Sequence, residues 1–110
     1  ALITDTPQAG KVLDALGNAM RREILALLKE EPLAVGALAS HLPISRPAVS
    51  KHLRLLQEAG LVSHRADGVR NLFYLRPVGF RAASLYLEQF WDEALVNFQQ
   101  VAESTIQTEP

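Results

Sequence analysis

Residues 42–62 have the sequence LPISRPAVSKHLRLLQEAGLV, and this stretch decides the fold. Three of its apolar residues recur at helical spacing, namely Val49, Leu53 and Leu56. This spacing predicts a helix that buries one stripe of its surface. Ser45 offers an N-cap oxygen at the start of the helix, and Gly60 is a typical stop. A turn, a helix and an apolar strand are therefore expected in that order.

The other side of this predicted helix carries charge and hydroxyl groups but no acid. A helix with an apolar back and a short, basic, hydrogen-bonding front fits the major groove of DNA. We expect Arg46, Ser50 and Lys51 to lie near base edges. Arg54 is expected to contact a phosphate, and Pro47 and Ala48 can touch thymine methyl groups. The full predicted contact set on this helix is Ser45, Arg46, Pro47, Ala48, Ser50, Lys51 and Arg54.

The composition excludes several classes of protein. The 110 residues suit one domain, and the absence of cysteine excludes disulfides, thiolate metal sites and thiol nucleophiles. We find no nucleophile–base pair, phosphate loop or metal-ligand cluster, so an enzyme is not expected. No apolar run approaches the roughly 20 residues of a membrane span, and no signal-peptide pattern is visible. We therefore expect a cytoplasmic protein with no membrane partner.

The net charge of −1 hides a strong asymmetry along the chain. Residues 44–76 hold six basic residues against two acids, whereas residues 77–110 hold one base against five acids. Phosphates respond to the local electrostatic field, so the basic middle segment is compatible with a nucleic-acid partner. In the acidic segment, Glu88, Asp92 and Glu93 are most simply a solvated outer face rather than a cation site.

The rest of the chain completes a winged helix-turn-helix, a mainly α architecture with a small β part. Apolar periodicity predicts helices before and after the decisive one, over 8–17, 19–30, 35–42 and 79–103, with a fraying tail at 104–110. Strands are predicted at 61–65 and 70–76, joined at Asp67-Gly68. We expect one domain over 1–110, with the helix-turn-helix at 35–57 and the wing at 61–76. The alternative function for this fold is a protein-interaction module without specific DNA binding.

Two wing residues and the last helix supply further candidate contacts. Arg65 and Arg70 flank the predicted wing tip, where they can contact a phosphate or the minor groove. The last helix has an apolar stripe that is most simply the core of a dimer, formed by Leu87, Trp91, Leu95 and Phe98. An effector pocket between this helix and the first helix is the alternative use of the same stripe.

The chain resembles the ArsR/SmtB family of small winged-helix repressors from about Val12 to Arg76. Residues 16–28 are similar to the family's second helix, and residues 65–68 and 73–75 resemble its wing. The most specific match is VSKHLRLL at 49–56 followed by AGLV at 59–62. The resemblance implies a bacterial homodimer that binds a palindromic operator and represses a promoter until an inducer acts. It also implies that the first helix joins the dimer interface, through Val12, Leu13 and Leu16.

The chain departs from the family's known metal sensors. The third helix has no cysteine and the last helix has no histidine, so neither metal site of the family carries over. His41, His52 and His64 are scattered, and His52 is expected to have a satisfied structural role beside Ala48 and Leu55. No metal or other cofactor is therefore expected. The expected partners are double-stranded DNA and a second copy of the chain, and a small-molecule or protein effector stays open.

Overall fold

The computed structural model describes residues 7–108, and side chains as far as residue 103. Four helices are followed by a two-stranded hairpin, a short 3-10 turn and a long helix. The elements are α1 (Pro7–Leu16), α2 (Ala19–Glu30), α3 (Val35–His41), α4 (Arg46–Glu58), β1 (Val62–Asp67), β2 (Arg70–Leu75), the 3-10 turn Pro77–Phe80 and α5 (Arg81–Thr108). This order confirms the predicted winged helix-turn-helix.

The helix starts follow the capping residues. The Asn18 side chain accepts a hydrogen bond from the backbone N–H of Arg21 at 3.0 Å, which caps α2. Ser45 caps α4 in the same way by accepting from the N–H of Ala48. Ala34 makes no such bond at the start of α3, which has seven residues. The two capped helices therefore begin at the predicted positions, and the α3 start is held by packing instead.

The wing is an antiparallel hairpin whose tip differs by one residue from the prediction. Asp67 pairs with Arg70, so the two-residue loop is Gly68-Val69 rather than Asp67-Gly68. Gly68 has φ +64° at the first loop position, a conformation that favours glycine. Leu33, between α2 and α3, adds an isolated bridge to Phe73 with N–O distances of 3.0 and 2.9 Å. This bridge ties the wing to the helical body and was not predicted.

One hydrophobic core joins the elements around α4. The predicted stripe of α4 is buried, and side chains from α1, α2, α3, β1 and α5 pack against it. Its largest fully buried members are Val12, Ile24, Leu38, Val49, Leu53, Leu56, Leu61 and Val62. By transfer free energy, each contributes roughly 1.5–3 kcal/mol to folding. The core fixes α4 from behind and leaves its other side free.

The last helix starts later and ends later than predicted. Pro77 opens a 3-10 turn, so α5 begins at Arg81 rather than at residue 79, and it continues through Thr108 instead of fraying at residue 104. Gly79 in the turn lies directly on the backbone of Gly60, at the end of α4, where a Cβ on Gly79 would come within 1.9 Å of the Gly60 oxygen. Gly60 itself has φ +81°. These two glycines join the end of α4 to the start of α5.

Candidate nucleic-acid interface

The exposed side of α4 presents the predicted basic residues together. Arg46, Ser50, Lys51 and Arg54 are all exposed, whereas the buried stripe faces the core. Ser45 is exposed too, but its hydroxyl already serves as the N-cap. The expectation that this side carries no acid is wrong, because Glu58 is exposed one turn beyond Arg54. The positive charge is therefore concentrated in the first three turns of the helix.

The guanidinium of Arg46 lies against the N-terminal part of α3. A Cβ built on Gly36 would meet Arg46 Nη2 at 3.0 Å and Cζ at 3.2 Å. The absence of a side chain at Gly36 therefore makes the space that Arg46 occupies. No periodicity or motif in the sequence indicates this role, since Gly36 is one residue inside a short helix.

Both wing arginines have partners within the hairpin. Arg70 donates to Asp67 Oδ2 from Nη2 at 3.3 Å, and the Arg65 guanidinium lies 5.7 Å from the centroid of the Tyr74 ring. Both groups of the ion pair are largely exposed, so it contributes little to stability. The pair orients Arg70 without burying its charge, so the guanidinium remains available to a phosphate.

Helix and wing meet at a shared cavity of about 400 Å³, between α3, α4 and β2. Arg46 and Ser50 line it from α4, and Arg70 and Asn71 line it from the wing. Two cations from separate parts of the sequence thus lie beside one concave surface. Both arginines were predicted individually from the sequence, but their convergence depends on the position of the wing, which the Leu33–Phe73 bridge helps to set.

His52 differs from its prediction. It is half-buried, as expected, but its Nδ1 atom is buried with no hydrogen-bond partner among the described residues. The expectation of a satisfied role is therefore wrong. Burial lowers the pKa of His52 below 6.5, and the nearby charges of Arg21 and Lys51 lower it further. The folded protein therefore favours the neutral ring more than the unfolded chain does.

The predicted dimer residues divide into three groups by exposure. Val12 is fully buried within the protomer, so it has no surface left for a partner and belongs to the core instead. Leu13 and Leu16 are half-buried and pack against that core. The α5 residues are open: Trp91 is 65 % and Phe98 74 % exposed, and the other exposed apolar residues along the same side are Leu87, Phe90, Leu95 and Val101. We call these six residues the α5 stripe.

Other kinds of site find no support in the described part of the chain. The side chains described, those of residues 7–103, include no group of three or more His, Asp or Glu placed to hold a metal ion. Within residues 7–108, no helix combines the length and apolar character that crossing a membrane requires.

The winged helix-turn-helix with a basic, exposed fourth helix defines a class of DNA-binding transcription regulators, and known proteins place the chain within that class. A family model described as bacterial regulatory protein, arsR family, matches residues 18–64. The HTH-type transcriptional regulator Rv2034 of Mycobacterium tuberculosis is 46% identical over 90 residues, which cover 82% of this chain and 84% of that protein. The chain belongs to the ArsR family of transcriptional regulators, which are not enzymes.

Solved structures agree with this assignment. An ArsR-like transcriptional regulator from Rhodococcus sp. RHA1 superposes with a TM-score of 0.73 at 33% identity, covering 88% of this chain and 92% of that chain. The homodimeric winged helix-turn-helix DNA-binding domain of Mb0332 from Mycobacterium bovis superposes with a TM-score of 0.63 at 28% identity, covering 83% of each chain.

Proposed function

We propose that this protein is a homodimeric repressor that binds a palindromic operator through the major groove, in the cytoplasm. The observation that carries the proposal is the convergence of Arg46, Ser50 and Arg70 on one concave surface between α4 and the wing. A single helix with basic residues is common on protein surfaces. Donors from two separate elements beside one cavity are suited to a phosphate backbone, with base edges beyond it.

In this proposal, α4 and the wing divide the work of binding. Arg46, Ser50 and Lys51 contact base edges and supply most of the discrimination. Arg54, Arg65 and Arg70 neutralise phosphates and supply most of the affinity, which therefore falls as salt rises. Ser45 contributes mainly through its cap, which fixes the first turn of α4. Pro47 and Ala48 lie in that turn, where small apolar groups can approach thymine methyls.

The second copy in this proposal covers the α5 stripe. Beyond its first turns, α5 leaves the protomer, and residues 90–101 are all exposed. An exposed row of large apolar side chains marks an interaction surface. A two-fold related copy offers the same row in return, which satisfies the requirement of an isologous interface. The homodimeric state of the Mycobacterium bovis domain supports this choice of partner.

The repressor role in this proposal rests on the size of the dimer and on one relative. A dimer that fills two successive major grooves and the adjoining backbone would cover DNA that a polymerase needs. The transcriptional repressor SdpR of Bacillus subtilis is 39% identical over 57 residues, which supports this role. The transcriptional activator HlyU of Vibrio cholerae is 37% identical over 70 residues, so activation is the alternative outcome of a reporter test.

Selection of random duplex DNA by the purified protein tests the proposal. The experiment is done near physiological salt, where sequence-independent phosphate binding is weak. We expect a palindrome whose half-site centres lie about one helical turn, roughly 34–36 Å, apart. A promoter carrying that palindrome upstream of a reporter should be silenced by the protein. A folded dimer that selects no motif would instead support the protein-interaction alternative.

A further inference from the structure

A second groove lies along the C-terminal half of α4, next to the wing, and its volume is about 430 Å³. It is lined by Ser50, Leu53, Arg54, Gln57 and Glu58 from α4 and by Phe73 from β2. Pockets for small ligands typically measure about 300–1,000 Å³ and combine apolar walls with a few placed polar groups. This groove has both features, and the proposed DNA contacts account for only part of its lining.

The floor of the groove is apolar and well supported. Leu53 is fully buried beneath it, and Phe73 is half-buried, held by the backbone bridge to Leu33. The His64 ring lies 5.2 Å from the Phe73 ring, tilted by 44°. An aromatic side chain fixed in this way offers a flat or edge-on contact to a planar ring.

The rim carries hydrogen-bond donors at one end. Ser50 and Arg54 are one helical turn apart on the same side of α4, so a hydroxyl and a guanidinium lie next to each other. Gln57 Oε1 lies 3.2 Å from His64 Nδ1, and this contact orients the amide at the middle of the groove. Glu58 occupies the far end, one further turn along, and no ion pair within residues 7–103 joins it to Arg54.

The charges therefore orient a ligand along the groove. An anionic group is attracted to the Ser50–Arg54 end and repelled from the Glu58 end, while a planar apolar body fits over Leu53 and Phe73. Arg pairs bidentately with carboxylates, which gives the anionic end geometric specificity. We propose that this groove binds a small aromatic carboxylate.

Occupation of the groove would oppose DNA binding, and this consequence rests on the proposed function. Ser50 and Arg54 belong to the groove and also to the predicted DNA contact set. A carboxylate on Arg54 neutralises a charge that a phosphate needs, and the aromatic body fills the space between α4 and the wing. Ligand and DNA therefore compete for the same two side chains.

Titration of the ¹⁵N-labelled protein with 2-naphthoate tests the site without any DNA. We expect amide shifts centred on residues 50–58 and 72–74, and much weaker shifts with neutral 2-naphthamide. Arg54→Gln should weaken 2-naphthoate binding about tenfold or more, because it removes a charge-assisted contact. Lys51→Gln loses the same charge on the same helix but outside the groove, so it should change binding by less than about twofold.

Shifts centred on α5, equal losses in the two variants, or equal binding of the amide and the acid would each overturn the proposed site. The second arm uses the selected operator. Saturating 2-naphthoate should lower the wild-type affinity for the operator about tenfold. Gln57→Trp, which fills the groove with its own side chain, should bind the operator more weakly by itself and lose no further affinity when 2-naphthoate is added. Unchanged operator affinity in a naphthoate-saturated wild type would overturn the competition. If selection yields no operator, the proposed function fails while the titration still decides the groove.

Discussion

Gly36 and Arg46 show how a residue without a side chain can position a predicted DNA-contact residue. The Arg46 guanidinium fills the space above Gly36, so its approach to the surface between α4 and the wing depends on α3. The contacting atoms are the far end of a flexible side chain. A methyl group at position 36 would therefore displace the guanidinium rather than break the fold.

Gly36→Ala should separate stability from operator affinity. We expect folding stability to stay the same or rise by up to about 1 kcal/mol, because alanine is favoured over glycine within a helix. Operator affinity should fall, as measured by fluorescence anisotropy. Gly10→Ala is the matched control, since a Cβ there meets nothing within 4 Å. In an Arg46→Ala background the effect of Gly36→Ala on affinity should vanish; if it persists, Gly36 does not act through Arg46.

Lys51→Ala and Arg46→Ala test the predicted base contacts directly. Each should weaken operator binding by about 1–3 kcal/mol while the dimer mass stays constant. Lys29→Ala removes the same charge from an exposed position on α2 and should leave affinity nearly unchanged. Unaltered operator affinity in either α4 variant would show that the helix meets DNA through a different face.

His52→Leu should stabilise the protein. Its buried Nδ1 has no hydrogen-bond partner among residues 7–103, and removing an unsatisfied polar atom recovers roughly 1 kcal/mol or more. The lowered pKa adds a pH dependence: below 6.5 the unfolded chain takes up a proton at His52 more readily than the folded chain. Wild-type stability is therefore full above this pH and decreases as the pH falls. Urea unfolding between pH 5 and 7.5 should show a flatter profile for the variant; an equally steep one would exclude His52 as the cause.

Among the elements, the contact between Gly60 and Gly79 is the least tolerant of change. A Cβ on Gly79 would overlap the Gly60 carbonyl, and both partners are backbone, so neither can move aside cheaply. Gly79→Ala should therefore lower the free energy of unfolding by about 1–3 kcal/mol or more. Chemical denaturation measures this, with Gly10→Ala as a control expected to be neutral or slightly stabilising. Equal stability of the two variants would contradict the close approach.

Elements with local signals were predicted well, and those that depend on distant partners were not. The start of α2 follows from Asn18, and that of α4 from Ser45. In both cases the capping side chain accepts a hydrogen bond from a backbone N–H three residues further along the chain, so the signal is local. The bridge between Leu33 and Phe73 was missed because isolated pairing leaves no periodicity in either segment. The hairpin tip was displaced by one residue because Asp67 pairs with Arg70.

The candidate interface was predictable as a set of residues but not as a geometry. Charge and helical spacing identified the exposed side of α4, whereas the position of Arg46 over Gly36 depends on how α3 packs. Val12 was misassigned for a related reason: an apolar stripe on a short helix does not reveal whether its own core or a partner covers it.

At the scale of the whole molecule, α5 is the proposed interface of the dimer. Its stripe leaves large apolar side chains in water, and burying each of them is worth roughly 1.5–3 kcal/mol. Trp91→Asp should shift the protein toward monomer in light-scattering measurements and weaken operator binding, because two half-sites are then no longer linked. Val96→Asp places the same charge on the far side of the helix, where Val96 is also exposed, and should stay dimeric. If the two variants dissociate equally, the α5 stripe is not the dimer interface.

The paired glycines at the end of α4 have a consequence for the operator itself. In the proposed dimer, α5 lies at the two-fold axis and α4 binds the DNA. The backbone contact between Gly60 and Gly79 connects these two helices. The angle between α4 and α5 at these two glycines would set the distance between the two copies of α4 in the dimer. In that dimer, the spacing of the operator's half-sites would depend on two residues that lie outside the proposed DNA contact set.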